Sequence, residues 1–415
     1  MHNAALDLGE FKLAWRILIL GVIGVAISAN AALLYSFGTL VVPLEEAFGW
    51  TRAEVQTSVT ALYLGAIVGL QIAGRANMRF GIRTVTLTSL ILITATYFAL
   101  TLLVPITGSI WTFYLLIALL PVAGAGTLTV TWTELIAIWF KKNRGLALAI
   151  GLSGTGLSAA VLPPVMATAI KTLDWRAVFW IMGALNIALA FPLSYIWIDK
   201  QANRSGGKIA EAPIPANQPG WRYGRAMASR KFWTLNIALS LVVSAVIAMV
   251  TSTVPLLQDR GFEPIEAASI FSSFGAALIS GRIVVGYLLD RVWPAGVAAA
   301  AILVPAVGCA LILGGGTYTP ALILGSFLIG FGAGAEFDIA AFLVSRHFGL
   351  RDYGRLFGFH LGLVTAAAAA APLLVAALVA HSGTYTTTQV YSTICFAMGG
   401  LLMLTLGRAP KDFEV

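Results

Sequence analysis

Long apolar runs, each closed by a short polar cluster, repeat along the whole 415-residue chain. About 20 apolar residues cross the hydrocarbon core of a bilayer as a helix, and tilted helices run longer. A barrel strand needs only about 10 alternating residues. The run lengths therefore predict twelve membrane-spanning helices, over 15–43, 51–74, 83–104, 110–138, 145–169, 175–198, 231–256, 264–289, 295–315, 320–345, 354–380 and 388–407. The first run, from Trp15 to Val42, is too long for the apolar part of a cleavable signal peptide and reads as the first span.

Composition agrees with an all-α membrane protein. Hydrophobic residues make up 59% and charged residues only 11%, against about 25% charged in a soluble domain, and mean hydropathy is +0.88. That leaves too little polar surface to wet a globule of this size, which excludes ordinary cytosolic enzymes and secreted disulfide scaffolds. The net charge of +8 is not a nucleic-acid footprint, because 21 of the 26 Lys and Arg fall in alternate loops. Under the positive-inside rule these loops and both termini face the cytosol of a cell inner (plasma) membrane. Cys309 and Cys395 lie inside apolar runs, and His2, His347, His360 and His381 are scattered. No metal spacing or nucleophile motif results, so neither a metal, a cofactor nor an enzymatic activity is expected. Gly151-Leu-Ser-Gly-Thr-Gly156 looks like a phosphate loop, but it sits inside a span and reads as a close-packing surface.

The longest polar stretch, 199–230, reads as a flexible cytosolic linker between a six-helix half at 1–198 and a second at 231–415. The halves are related. A shift of 212 residues places Pro43 on Pro255, Gly49 on Gly261, Glu54 on Glu266, Gly69 on Gly281, Gly74 on Gly286 and Arg79 on Arg291. Such parallel repeats put a substrate site at mid-membrane and support alternating access by rocking.

Two loops carry a resemblance. Gly74-Arg-Ala-Asn-Met78-Arg79-Phe-Gly81-Ile-Arg83 and Gly286-Tyr-Leu-Leu-Asp290-Arg291 resemble the Gly-x-x-x-Asp-Arg-x-Gly-x-Arg loop of the major facilitator superfamily. The first copy has Met78 where the family has Asp; the second lacks the trailing Gly and Arg. The resemblance implies a major facilitator fold of twelve helices in two six-helix pseudo-repeats, a protein that works as a monomer, and conformational gating by Arg79, Asp290 and Arg291. Tyr35-Ser-Phe-Gly-Thr-Leu, Phe48-Gly-Trp-Thr-Arg, Trp139-Phe140-Lys-Lys-Asn-Arg144-Gly145 and Asp174-Trp175-Arg176 are similar to the monocarboxylate-porter and oxalate/formate-exchanger branch.

Arg282 stands four residues before Gly286, where that branch is similar to this chain in carrying a substrate-binding arginine. A mid-span arginine costs about 2.5–3.5 kcal/mol on insertion scales, and its fork matches a carboxylate. Snorkelling is the alternative, since Leu289 is about 10 Å away at helical rise. The branch often has an Asp one turn earlier, where this chain has Leu278. Animal members of the branch have a span-one lysine where Thr39 stands here, and oxalate/formate exchangers have a lysine in span eleven, the span in which this chain has His360. Intramembrane acids that could carry a proton or balance charge are Glu134, Glu336 and Asp338. Glu134 shares a helix face with Gly124, Thr127 and Thr131, and an ion pair to Lys141 or Arg144 is its alternative role. Glu336 and Asp338 point about 200° apart. Asn30, Tyr35, Ser252, Thr253 and His360 are further candidate substrate contacts, whereas Thr51-Arg-Ala-Glu54 is a capping box.

The expected function is secondary transport of a small organic anion, a monocarboxylate, with a co-transported proton as one coupling mode and no partner beyond substrate, proton and lipid. The alternative is export of drugs or other metabolites with Arg282 structural.

Overall fold

The structure, a computed structural model, describes residues 8–140, 143–198, 220–289, 291–408 and 410. Lys141, Lys142, Asp290 and the 199–219 part of the predicted linker lie outside the described residues. Among the described residues eleven helices are long and apolar enough to cross a membrane. The fourth predicted span differs, being built from shorter pieces. Large apolar side chains such as Ile106, Trp111, Leu115 and Ile283 stay more than 60% exposed along the spans. A water-soluble surface avoids such continuous apolar exposure, and a lipid-facing one requires it.

By its contacts the chain divides into two units. The first holds spans one to six, except Phe37–Val42 and Thr51–Thr60, which group with the second. Its chain order is α1 (Leu8–Ala26), α2 (Ala29–Phe48), α3 (Arg52–Phe80), α4 (Ile82–Thr107), α5 (Ile110–Ala123), a 3-10 turn (Ala125–Thr127) and α6 (Thr129–Trp139). Then follow α7 (Arg144–Leu152), α8 (Gly154–Thr172), α9 (Arg176–Ala184), a π-helical stretch (Leu185–Ala190) and α10 (Phe191–Trp197).

In two of these spans the backbone leaves helical geometry, whereas between α7 and α8 Ser153 stays helical. Span one breaks between α1 and α2, where the Ser28 hydroxyl accepts the Ala31 N–H at 3.4 Å and caps α2. Span four breaks at Gly124-Ala-Gly126, and its released backbone groups find side-chain partners. The Gly126 N–H donates to Ser89 Oγ (2.9 Å), Thr86 Oγ1 donates to the Gly126 carbonyl (3.2 Å), and Trp132 Nε1 donates to the Thr127 carbonyl (2.9 Å). In lipid such groups must be satisfied internally, and irregular backbone survives only where neighbours do so. Trp132 is fully buried and lies against Gly24 of α1, where a Cβ would collide with its ring.

The second unit continues with α11 (Tyr223–Met227), α12 (Arg230–Asp259), α13 (Pro264–Leu289), α14 (Pro294–Gly314), α15 (Thr319–Phe348), α16 (Tyr353–Ser382) and α17 (Thr386–Thr405). Residues 220–230, expected as part of a flexible linker, instead form a bridge from Gly220 to Gly349 and the helix α11. Glycines bring α13 and α15 into backbone contact: a Cβ at Gly281 would meet the Phe331 carbonyl, and one at Gly334 the Leu278 carbonyl. Small residues are the general means of close helix packing in lipid. Arg260, just past α12, donates from Nη1 to the Ile312 carbonyl (2.5 Å) and so caps the end of α14. Thr51–Thr60 is fixed within this unit by side-chain bonds. Arg52 Nη1 donates to both carboxylate oxygens of Asp259 at 2.7 and 2.5 Å, Gln56 Nε2 donates to the Thr251 carbonyl (3.1 Å), and Thr60 Oγ1 donates to the Ala369 carbonyl (2.9 Å).

Candidate functional site

The α13–α15 contact positions Arg282. With Gly281 and Gly334 letting the backbones touch, the Arg282 side chain turns toward α15 and is only 11% exposed. Its Nε lies 3.3 Å from the Gly334 carbonyl and 3.5 Å from Asp338 Oδ2. Its Nη1 is buried and has no hydrogen-bond partner among the described residues. Burying a charged donor unpaired costs more than the about 1–3 kcal/mol of a neutral one. The guanidinium thus engages α15 through Nε, while Nη1 makes no hydrogen bond to the described residues. This is not the geometry of snorkelling, in which the head group would run along its own helix to the interface.

Of the two acids on α15, Asp338 is the one beside Arg282, and its carboxylate is 39% exposed. Glu336, on a different face, has Oε2 buried and without a partner. Leu278 holds the place one turn before Arg282 and is buried in the α13–α15 contact. The carboxylate next to the arginine thus comes from a neighbouring helix.

His360 is 2% exposed, and its Nδ1 is 2.9 Å from Asn236 Oδ1 on α12. Asn236 uses its amide N–H on the Phe232 carbonyl (2.8 Å), so the ring nitrogen is the donor in the His360–Asn236 bond. His360 is thereby a seam residue between α12 and α16. Ser252 is 1% exposed with its hydroxyl unpartnered, whereas Thr253 spends its hydroxyl on the Met249 carbonyl (2.6 Å).

In the first unit, Asn30 is half-buried just past the span-one break, with its Oδ1 unpartnered, and Tyr35 is half-buried one to two turns on. Glu134 on α6 accepts from the Asn77 amide (2.9 Å), which also donates to Thr131 Oγ1 (3.2 Å). Asn77 is 1% exposed. Among the described residues Glu134 has no ion pair to Arg144. Arg79 and Arg291 are exposed: Arg79 lies over Phe80 of the same helix at 5.3 Å, and Arg291, in the turn just past α13, lies over Tyr287 at 3.7 Å. Asp290 lies outside the described residues.

Sequence reasoning did not single out Asn77, Asn236 or the Arg52–Asp259 pair. Asn77 had one visible sign, an uncharged amide beside Met78 in the loop where an acid is expected. The other two depend on contacts between distant helices and leave no local mark.

Residues 20–350 match the family described as Major Facilitator Superfamily. The chain is 26% identical over 268 residues to Monocarboxylate transporter 13 of Bos taurus, covering 62% of this chain and 58% of that one. To the 3-(3-hydroxy-phenyl)propionate transporter of Escherichia coli it is 27% identical over 256 residues, covering 60% and 59%. The chain thus spans about three fifths of these relatives. With Monocarboxylate transporter 13 of Rattus norvegicus it shares 27% over 390 residues, covering 90% and 84%. Its fold is similar to the crystal structure of a bacterial homologue of the human lysosomal transporter Spinster, with TM-score 0.69, 15% identity, and 98% and 100% of the two chains covered. Every one of these relatives is a transporter and not an enzyme, and with four fifths of its length matching one family, the chain belongs to the Major Facilitator Superfamily.

Proposed function

We propose that the protein is a secondary transporter of a small organic anion, a monocarboxylate, in a cell inner membrane with both termini cytosolic. Transport proceeds by alternating access. The observation that carries this reading is Arg282, a guanidinium inside a span with Nη1 buried and unpartnered and Nε beside Asp338. A planar fork with an open edge suits a carboxylate, which accepts two in-plane hydrogen bonds. The names of two relatives, a monocarboxylate transporter and a substituted propionate transporter, point the same way.

In this reading the substrate carboxylate takes over the guanidinium edge, and Asp338 is the resident anion that holds Arg282 between cycles. A carboxyl next to the bound anion is favoured in its protonated form, because two like charges at one cation repel. A proton then travels with the substrate. Glu336 is the second acid of this pathway, and Asn30 and Ser252, with unpartnered polar atoms, are the uncharged contacts. Arg79, Asp290 and Arg291 act in gating. Glu134, held by Asn77, balances charge in the first unit.

Uptake of labelled carboxylates into liposomes containing the purified protein tests the reading. Arg282→Gln reduces uptake at least about tenfold at normal reconstitution yield, the loss of one charge-assisted interaction of about 1.5–3 kcal/mol. Arg282→Lys keeps the charge without the fork and falls between. Wild-type uptake by Arg282→Gln contradicts the assignment.

A further inference from the structure

A cluster of exposed arginines, separate from the substrate reading, stands at the end of the second unit that the Lys and Arg distribution assigns to the cytosol. The chain just before α12 is strapped onto the turn between α15 and α16. Gly220 pairs antiparallel with Gly349, the Trp221 N–H donates to the Phe348 carbonyl (2.8 Å), and the Tyr223 N–H donates to Asp352 Oδ2 (2.6 Å). The approach is close enough to need glycine, since a Cβ at 220 would lie 2.8 Å from the Arg351 nitrogen. Trp221 then stands edge-on to Phe348 with ring centroids 5.6 Å apart.

This strap gathers four exposed arginines, Arg222, Arg225, Arg351 and Arg355. Two are oriented by rings: Arg225 lies 4.8 Å over Trp221, and Arg355 lies 4.4 Å over Tyr223. Asp352, the carboxylate of this turn, is committed to the strap backbone. Among the described residues no ion pair involves Arg222, Arg351 or Arg355. Beside them Trp233 (40% exposed) and Leu350 (47% exposed) present apolar surface, and the Trp233 indole N–H is tied to the Met227 carbonyl at 2.8 Å. Aromatic residues with one apolar and one polar side settle at the headgroup level of a bilayer. Guanidinium forks match phosphate oxygens, and clusters of cytosolic basic residues next to a span attract anionic lipid.

We propose that the strap 220–227 and the turn 348–355 form a binding site for the phosphate of an anionic phospholipid headgroup, with Arg222, Arg351 and Arg355 as the ligating groups. Occupancy fastens the strap between α15, which carries Asp338, and α12. A merely basic surface would bind lipid through any of its arginines; this site binds through these three.

The full chain in neutral detergent is titrated with short-chain phosphatidylglycerol or phosphatidylcholine while its melting temperature is read. Wild type reaches half-saturation at least about tenfold lower with phosphatidylglycerol, on the order of what two or three arginines near a membrane surface supply. The combined variant Arg222→Gln, Arg351→Gln, Arg355→Gln loses that preference. The equally exposed pair Arg346→Gln and Arg408→Gln keeps it. If the triple variant does not fold, the three single variants replace it, each with preference lowered about fivefold. No preference in wild type, a preference kept by the triple and single variants, or an equal loss in the Arg346/Arg408 variant overturns the proposal. So does an equal stabilisation by water-soluble glycerol phosphate, which would assign the site to a free anion.

Discussion

Asp338 and Arg282 meet across two helices, carboxylate Oδ2 to guanidinium Nε at 3.5 Å, because glycines at 281 and 334 let α13 and α15 touch at the level of the arginine. The separation is long for a full ion pair, and the Asp338 side chain stays 39% exposed. A partner held this loosely is one that a competing carboxylate can replace. On the proposed reading, Asp338→Asn removes the competitor and the proton carrier together. The expected result is substrate affinity up to about fivefold tighter, the equivalent of about 1 kcal/mol for a partly exposed pair. Accumulation driven by an imposed pH gradient is lost, while exchange of labelled for unlabelled substrate continues. Initial-rate and counterflow measurements in liposomes separate these.

The glycine contact is itself testable. A Cβ on Gly281 collides with the Phe331 backbone, whereas one at Gly286, a turn further along the same helix, meets nothing within 4 Å. Gly281→Ala therefore destabilises by about 1–3 kcal/mol, the usual result of overpacking, and displaces Arg282 from Gly334. Gly286→Ala shifts the melting temperature little. The comparison of the two variants, by thermal melting in detergent, controls for the general effect of adding a methyl to α13.

Much of this was legible along the chain and some was not. Span eight was predicted at 264–289 and is found at Pro264–Leu289, since a proline after a polar turn marks its start and charged residues mark its end. Span four, read as one run over 110–138, is broken at Gly124-Ala-Gly126. Hydropathy averages over such a break, because the residues on both sides are equally apolar. Arg282 was singled out for its charge in an apolar run, but the acid beside it was not determined by spacing. One turn along its own helix there is only Leu278, and the carboxylate arrives from α15 through packing. The sequence offers Glu134 only nearby cations as partners, while the structure supplies the Asn77 amide 57 positions away.

That amide gives a third prediction. Asn77→Ala leaves the Glu134 carboxylate without its donor in a mostly buried setting, at about 1–3 kcal/mol. Glu134→Gln keeps an acceptor for the same amide and is close to neutral in melting temperature. If Glu134 also balances charge during transport, Glu134→Gln slows uptake without that loss of stability. A rate and a stability that fall in parallel in both variants would reduce Glu134 to a structural role.

The Arg52–Asp259 pair is doubly bonded and partly exposed, with side-chain exposures of 24% and 31%. Its expected coupling is about 1 kcal/mol, weakening as salt rises. A double-mutant cycle with Arg52→Ala and Asp259→Ala, read by melting at 50 mM and 500 mM salt (roughly a threefold change in screening length), measures it. Additive single effects at low salt would mean that the pair does not fix Thr51–Thr60, leaving that role to contacts such as those of Gln56 and Thr60.

The central claim is that Arg282 receives a carboxylate, and equilibrium binding tests it without any assumption about coupling or direction. Wild type and Arg282→Gln are titrated calorimetrically in detergent with a panel of small monocarboxylates, with uncharged amides of the same acids and lipophilic cations alongside. The account predicts that at least one carboxylate binds wild type, that its amide binds at least about tenfold more weakly, and that Arg282→Gln abolishes the difference. Equal binding of acid and amide by wild type, or a carboxylate affinity unchanged in Arg282→Gln, would contradict it.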